Sequence, residues 1–477
     1  MIPPPVQDVH ARLAAKAPTS TRLNKEADEI LAASIVRTVE ISNPVYIDTA
    51  SGPHLTDVDQ NQLIDLASGY GPHIYGNRPE PVYDALLQQL ERGWHFGVHS
   101  PLQNELGRRL RDAAPCAEAV VFANSGTEAT MYAIRAARAF TGKTKVAMFD
   151  GSYHGAHDYA CVTVDFDSPR DRPTLMSKGA GIPSAVIDTV VALPYNSSAA
   201  FDLIREQAEE LALVIVEPVQ SSNPRTDIGP WLRELSAVCK EVGVLFALDE
   251  VITGFRLAYG GGQEYFDVKC DLATYGKALG GGLPIGAVAG RRDIMSVFGG
   301  SGGDTLLDGY EEEADQVIFY GGTFSGNPLT MAAGIAMLDT LSADPGVYGR
   351  LKAMGDLLAG LVNDYASANG VPVRIMNASS MFYVIFGDGQ IDGVRDMPHL
   401  PEAEKTFYAL LQERGVLIPG IHLAFVSDAL SEDDIRQIAT AMIATLEEMR
   451  ATGELSTFSA RLTVDGPPSS GSRDTSE

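Results

Sequence analysis

Val244-Leu245-Phe246-Ala247-Leu248-Asp249-Glu250 is the stretch from which the architecture can be read. Its apolar residues run without alternation, and two carboxylates then close the run. A strand apolar on both faces belongs to a sheet covered by helices on both sides. Ala119-Val120-Val121-Phe122, Lys145-Val146-Ala147-Met148-Phe149 and Leu213-Val214-Ile215-Val216 have the same character. Segments of helical periodicity such as Thr127–Phe140 lie between them. This alternation, from about Pro79 to Gly321, predicts an α/β fold with a mostly parallel sheet. Ligands of such sheets bind at the carboxyl ends of the strands.

On the N-terminal side, Val6–Val36 reads as helical and interrupted at Pro18. Val45-Tyr46-Ile47 and Gln62-Leu63-Ile64-Asp65 are strand-like around the turn Asp57–Asn61, a small antiparallel element. On the C-terminal side the pattern gives helices over Pro328–Leu341, Tyr348–Ala366, Ala403–Glu413 and Glu432–Met449. Strand character appears over Val373–Phe386. The expected division is 1–78, a helical and antiparallel segment; 79–328, a large α/β domain; 329–460, a smaller α+β part sharing its domain with the N-terminal segment; and 461–477. That last stretch, rich in Gly, Ser, Pro and charge, is expected to be disordered.

The chain has 477 residues, with 62 Asp and Glu against 36 Lys and Arg, a formal net charge of −26. That field repels nucleic acid and anionic membranes, so neither is expected as a partner. Cys116, Cys161, Cys239 and Cys270 show no Cys-x-x-Cys spacing, so no metal site or disulfide framework is expected. The start, Met-Ile-Pro-Pro-Pro, lacks the charged and apolar regions of a secretory signal, and no apolar run is long enough to span a bilayer. The expected location is the cytoplasm.

Four motifs carry chemistry. In Asn124-Ser125-Gly126-Thr127-Glu128-Ala129, Ser125 and Glu128 have capping-box spacing directly after a strand. An ordinary helix cap is one reading. The other is an anion cradle, since a helix N-terminus offers free N–H groups, Gly126 admits close approach, and Ser125 and Thr127 add hydroxyls. Asp249 ends the strand described above, placed either for a ligand or for solvent. Tyr275-Gly276-Lys277-Ala278-Leu279-Gly280-Gly281-Gly282 sets a lysine among apolar residues and glycines. Desolvation there favours the neutral, nucleophilic amine, whereas the ordinary alternative is a surface lysine. In Gly151-Ser152-Tyr153-His154-Gly155, Tyr153 can stack on a planar ring. Gly142-Lys143-Thr144 is no P-loop, because position 137 is alanine and the triplet follows a helix.

Together with VEPVQ, LDEVITGFR, GLPIGAVAG and GTFSGNPLTMAAG, these motifs resemble the class III aminotransferases of pyridoxal 5′-phosphate (PLP) fold type I. The likeness is greatest to the glutamate-1-semialdehyde 2,1-aminomutase branch, from about Ser34 to Ala333 and weakly to Ile435. The resemblance implies PLP as cofactor, held by Lys277 as an internal aldimine. It implies that Asp249 bonds the pyridine nitrogen, that Val251 packs under the ring and that Tyr153 stacks over it. Ser125, Gly126 and Thr127 match the phosphate cradle. Thr323 matches a phosphate ligand donated by the neighbouring subunit, hence a homodimer with shared active sites. Glu217 and Gln220 stand at another strand end, and Gln220 and Asn223 are candidates to reach the phenolic oxygen of the cofactor.

For the substrate, Arg37 in Ser34-Ile35-Val36-Arg37 resembles the carboxylate-binding arginine of the aminomutases, and Tyr70 stands where that branch has an aromatic. Two departures separate the chain from that branch. The small-residue lid after Tyr153-His154-Gly155 is replaced by Asp165-Phe166-Asp167-Ser168-Pro169-Arg170-Asp171-Arg172. Pro419-Gly420-Ile421-His422-Leu423 replaces a phenylalanine–glutamate segment. A mutase must retain a half-reacted substrate, whereas a transaminase releases one keto product and admits another. The departures favour amino transfer between an amino acid or amine and a keto or aldehyde acceptor. An aminomutase and a catalytically silent PLP-binding protein are the alternatives.

Overall fold

The computed structural model describes residues 9–33, 44–299, 317–387, 389–398, 401–418, 420 and 423–455. The 461–477 tail expected to be disordered lies outside these residues.

Near the N-terminus, helices Val9–Lys16 and Pro18–Ile30 break at the proline, as the sequence predicts. Three strands follow: β1 (Ile47–Ser51), β2 (His54–Asp57) and β3 (Gln62–Asp65), paired antiparallel in that order. Strand β1 begins later than the Val45–Ile47 run suggests. The Tyr46 N–H is drawn off by Ser20 Oγ at 3.2 Å, and its carbonyl accepts from the Val58 N–H.

The large sheet is built from β4 (Ala119–Ala123) and β5 (Lys145–Phe149). After a two-stranded hairpin, β6 (Val162–Val164) and β7 (Leu175–Ser177), it continues with β8 (Val190–Leu193), β9 (Leu211–Val216), β10 (Leu245–Asp249), β11 (Leu272–Gly276) and β12 (Gly286–Gly290). Its order is β4-β12-β11-β10-β9-β5-β8. Strand β12 alone runs antiparallel to its neighbours, β11 and β4. Alternate residues of β9 and β10 feed two different cores. Val214, Val216, Phe246 and Leu248 pack under the helix Gly229–Val242 with Trp231, Leu232 and Leu235. Leu213, Ile215, Leu245 and Ala247 pack on the opposite face with Ala129, Ala133 and Ile134 of the helix Gly126–Thr141. Burial on both faces is what their unbroken apolar runs require.

The C-terminal part has β13 (Val373–Ala378), β14 (Met381–Phe386), β15 (Val416–Leu417) and β16 (Ala424–Phe425). Strands β13, β14 and β16 form an antiparallel sheet covered by helices Val347–Asn369, Pro401–Glu413 and Glu432–Ala451. Strand β15 leaves that sheet and pairs parallel with β3, aligning Val416 with Ile64. Val9, Leu13, Ile64 and Leu66 thus share one core with residues of the C-terminal helices. Among the described residues no helix is long and apolar enough to cross a membrane.

The long helix lies on the β13–β14 turn through Gly355, where an added Cβ would stand 2.0 Å from the Ser379 carbonyl oxygen. Gly355→Ala is therefore expected to lower stability by about 1–3 kcal/mol, through forced separation of helix and turn. Thermal unfolding of the variant would show this as a lowered midpoint, and a midpoint equal to that of the parent would disprove the close fit.

Candidate active site

The carboxyl ends of β4, β9, β10 and β11 open on one cavity of about 400 Å³. Ser125, Gly126, Thr127, Tyr153, Glu217, Asp249, Val251, Lys277 and Tyr70 all line it.

At one end the helix Gly126–Thr141 begins. Its cap is Ser125, whose Oγ accepts from the Glu128 N–H at 3.1 Å, the geometry foreshadowed by the capping-box spacing. The first N–H groups of this helix face the cavity end, where its dipole favours an anion. Two glycines keep the place open. A Cβ on Gly126 would lie 2.8 Å from Val251 Cγ1, and one on Gly155, which has φ +100°, would lie 2.7 Å from Thr127 Oγ1.

At the other end stands Asp249, 4 % exposed. Its Oδ1 accepts from Thr274 Oγ1 at 3.0 Å and from the Val251 N–H at 3.1 Å, while Oδ2 lies 2.7 Å from His154 Nδ1. His154 is buried, and its Nε2 has no partner among the described residues. Beyond it, burial and the neighbouring His154 push His157 down to about 4. Tyr153 precedes His154, is half exposed into the cavity, and donates its backbone N–H to Glu217 Oε2 at 2.8 Å. Glu217 also accepts from the Ser221 N–H. Its complete burial drives its carboxyl up to about 7.

Lys277 follows β11 directly, in a left-handed conformation (φ 44°) that costs a non-glycine residue roughly 1 kcal/mol or more. Its Nζ donates to the Tyr70 carbonyl oxygen at 2.7 Å.

Three sequence-derived candidates fall elsewhere. Gln220 does not line the cavity: its Nε2 donates to the Asp150 carbonyl at 2.8 Å, and Val219 takes the lining position. Asn223 likewise turns toward the Asp392 carbonyl. Thr323 lies outside the cavity of its own chain, in a recess with His95, Phe96 and Val98. Arg37 is outside the described residues. Conversely, sequence reasoning passed over His154 and Thr274 as partners of Asp249. His154 stood in the Gly151–Gly155 motif, which was read only for its tyrosine.

The family description Aminotransferase class-III matches residues 36–446. The chain belongs to the class III aminotransferases. Membership makes it a pyridoxal 5′-phosphate-dependent enzyme of fold type I. It is 35 % identical over 432 residues to a glutamate-1-semialdehyde 2,1-aminomutase of Methanocaldococcus jannaschii, covering 88 % of this chain and 96 % of that one. The aminomutase of Sulfurisphaera tokodaii is 37 % identical over 428 residues, with coverages of 87 % and 96 %. Among solved structures, an omega-transaminase from Sphaerobacter thermophilus superposes with a TM-score of 0.83 at 30 % identity, covering 90 % of this chain and 98 % of that one. A beta-phenylalanine aminotransferase from Variovorax paradoxus does so with a TM-score of 0.81 at 27 % identity, with coverages of 94 % and 97 %.

The buried Glu217 makes a pH signature of this class III enzyme. A carboxyl at about 7 in the fold, against an ordinary value near 4.5 in the unfolded chain, binds a proton more tightly when folded. Stability from this group is complete below the unfolded value and is lost as pH rises through the folded one. The loss is on the order of 3 kcal/mol between about pH 4.5 and 7. Glu217→Gln is expected to remove that part of the slope. Melting midpoints from pH 5 to 8 that fall in parallel for parent and variant would contradict it.

Proposed function

We propose that this enzyme moves an amino group between two different molecules, from a carboxylate-bearing amino acid or amine to a keto or aldehyde acceptor. The residues of the cavity fit the cofactor. The glycine-lined helix start, with the Ser125 and Thr127 hydroxyls, would hold the phosphate. Asp249 would accept a hydrogen bond from the pyridine nitrogen, and Val251 and Tyr153 would take the two faces of the ring. Lys277 would hold the cofactor covalently. Bound here, pyridoxal 5′-phosphate supplies an electron sink for the bond broken at the substrate carbon. Lys277 Nζ would move the proton at that carbon. Its hydrogen bond to the Tyr70 carbonyl holds the amine beside the cavity, so the transfer would need no diffusion. His154, packed on Asp249, fixes the carboxylate that faces the ring. Arg37 and Tyr70 are the proposed substrate-side residues, with the planar guanidinium suited to a carboxylate.

The observation that carries transamination over isomerisation is the fate of the segment after Tyr153. It folds as the β6–β7 hairpin, and the loop at its tip is fastened from the C-terminal part. Arg395, whose side chain is 6 % exposed, pairs with Asp150 at 2.7 Å and donates to the Ser168 carbonyl at 2.8 Å, while Arg170 pairs with Asp396. A segment pinned in this way is poorly suited to sealing a half-reacted substrate in place. The alternative, an intramolecular aminomutase, is supported by the names of the 35–37 % identical relatives. The third reading, a silent cofactor-binding protein, is disfavoured by the convergence of Lys277, Asp249 and Tyr153 on one cavity.

A 15N-labelled amine mixed with an unlabelled acceptor of different carbon skeleton is expected to yield labelled amine on the acceptor skeleton. Label confined to the donor skeleton, with its position shifted, would replace the transaminase by the isomerase.

We further propose a homodimer. Trp94, Val98, Phe319 and Phe324 are exposed, Val98 by 76 %, and the His95 and Phe324 rings approach within 5.1 Å beside Thr323. An apolar surface of this kind is what a second copy would cover, bringing Thr323 toward the partner's cavity. Val98→Asp is expected to shift the particle toward monomer in light scattering and to weaken cofactor retention. A variant that stays the size of the parent and holds cofactor equally would remove this assignment.

A further inference from the structure

Among the described residues, Arg256 is the largest of the fully buried side chains, with 0 % of its surface exposed, and no carboxylate pairs with it. Its Nη2 and Nε donate to the Gly71 carbonyl oxygen at 2.6 and 3.2 Å. Its Nη1 donates to Ser380 Oγ at 3.1 Å and, at 3.4 Å, to the Val426 carbonyl. The guanidinium carbon stands 5.0 Å over the Phe425 ring. Burial without a counter-charge pushes the guanidinium down to about 9. Placing a cation among neutral acceptors is costly, so a cheaper apolar filling would be expected unless its donors were needed.

What those donors hold is an unusual piece of backbone. Ser68, Gly69, Tyr70 and Gly71 have φ of 49°, 60°, 66° and 112°, four successive residues in the left-handed region. Two of them are not glycine, and each such residue costs roughly 1 kcal/mol or more. Such a turn persists only where its surroundings over-determine it. Asp65 Oδ1 accepts from the Ser68 N–H at 2.8 Å at one end, and Arg256 grips Gly71 at the other. Between these two anchors, the Tyr70 carbonyl meets Lys277 Nζ. At Gly71 itself an added Cβ would lie 3.1 Å from Phe425 Cζ and 3.5 Å from Lys277 Cδ, so the turn is wedged between the ring under Arg256 and the stem of the lysine.

We propose that Arg256 is a positioning residue for the reaction: it clamps the left-handed Ser68–Gly71 turn from behind so that the Tyr70 carbonyl holds the Lys277 amine in its working place. The inference rests on the reading of Lys277 as the reactive amine. A planar fork that spans a carbonyl and a hydroxyl on different chain segments is a task for arginine, and lysine cannot reproduce it. Loss of the clamp shifts the turn that carries both the Tyr70 carbonyl and the Tyr70 side chain, so turnover falls, and donor KM rises to the extent that Tyr70 meets the donor. A displacement of about 1 Å at a reacting group costs up to roughly a hundredfold in rate.

The test uses the holoenzyme and the variants Arg256→Lys, Arg256→Met and Ser380→Ala. Each is compared by the absorbance of the bound cofactor, by kcat and donor KM, and by Tm. Arg256→Lys, which keeps the charge, is expected to retain the absorbance of the parent while kcat falls at least about tenfold. Ser380→Ala removes an anchor on the side away from Gly71 and is expected to lower Tm with kcat within about twofold. Parental kcat in Arg256→Lys, measured well below its melting point, would overturn the proposal whatever its loss of Tm. So would equal falls of kcat in Arg256→Lys and Ser380→Ala, since these mark a merely structural role. If Arg256→Met does not fold, Arg256→Lys decides alone. Lys277→Ala, run in parallel, separates the two claims: retained turnover there sinks the reading of Lys277, whereas loss there with parental Arg256→Lys sinks only the clamp.

Discussion

A carboxylate taken almost wholly out of water must have its oxygens met by protein donors, and Asp249 draws them from three places in the chain. The Val251 N–H comes from its own loop, Thr274 from the next strand of the sheet, and His154 from the loop after β5. Each donor presupposes a different part of the fold. Thr274 is in reach because β11 pairs with β10 in the register that sets it beside Asp249. His154 is in reach because the loop after β5 crosses the end of β9, the strand between β5 and β10, where Glu217 grips the backbone of Tyr153. The placing of Tyr153 and the buried state of Glu217 thus follow from satisfying one buried acid.

The opposite end of the cavity is governed by shape. Two glycines leave an opening where side chains would collide, and a helix start supplies the positive potential. Nothing there is strained. The lysine between the two ends is: Lys277 and its hydrogen-bond partner Tyr70 both have left-handed backbone. Left-handed backbone thus gathers at the lysine and at the turn that carries its hydrogen-bond acceptor, while Ser125, Thr127 and Asp249 have none.

Much of this was legible in the sequence, for identifiable reasons. Unbroken apolar runs signalled burial on two faces, and the helix start and Asp249 stood at strand ends where ligands sit. What escaped notice had no residue type to announce it. Strand β12 is Gly-Ala-Val-Ala-Gly, a composition that does not declare a strand. It is used because a Cβ on Gly286 would stand 2.0 Å from the Ser125 carbonyl oxygen. The partner of Lys277 is a backbone carbonyl, which any residue carries. Arg256 belongs to the LDEVITGFR motif, but only the fold shows it facing Gly71. A polar side chain at a strand end has two sides to choose from, and the Gln220 Nε2 donates to the Asp150 carbonyl, a partner the sequence does not announce.

The antiparallel β12 has a metric meaning as well. It sits between β4, which leads into Ser125, and β11, which leads into Lys277. Neighbouring strands lie about 4.8 Å apart, so the ends of β4 and β11 are two strand widths, roughly 10 Å, apart. The chain beyond them closes that interval: a Cβ on Gly276 would lie 3.7 Å from the Gly126 Cα and 3.3 Å from Val251 Cγ1. The two loops therefore meet over the N-terminal end of β12, and a bulkier residue at either glycine would disturb the spacing of the helix start and the lysine together.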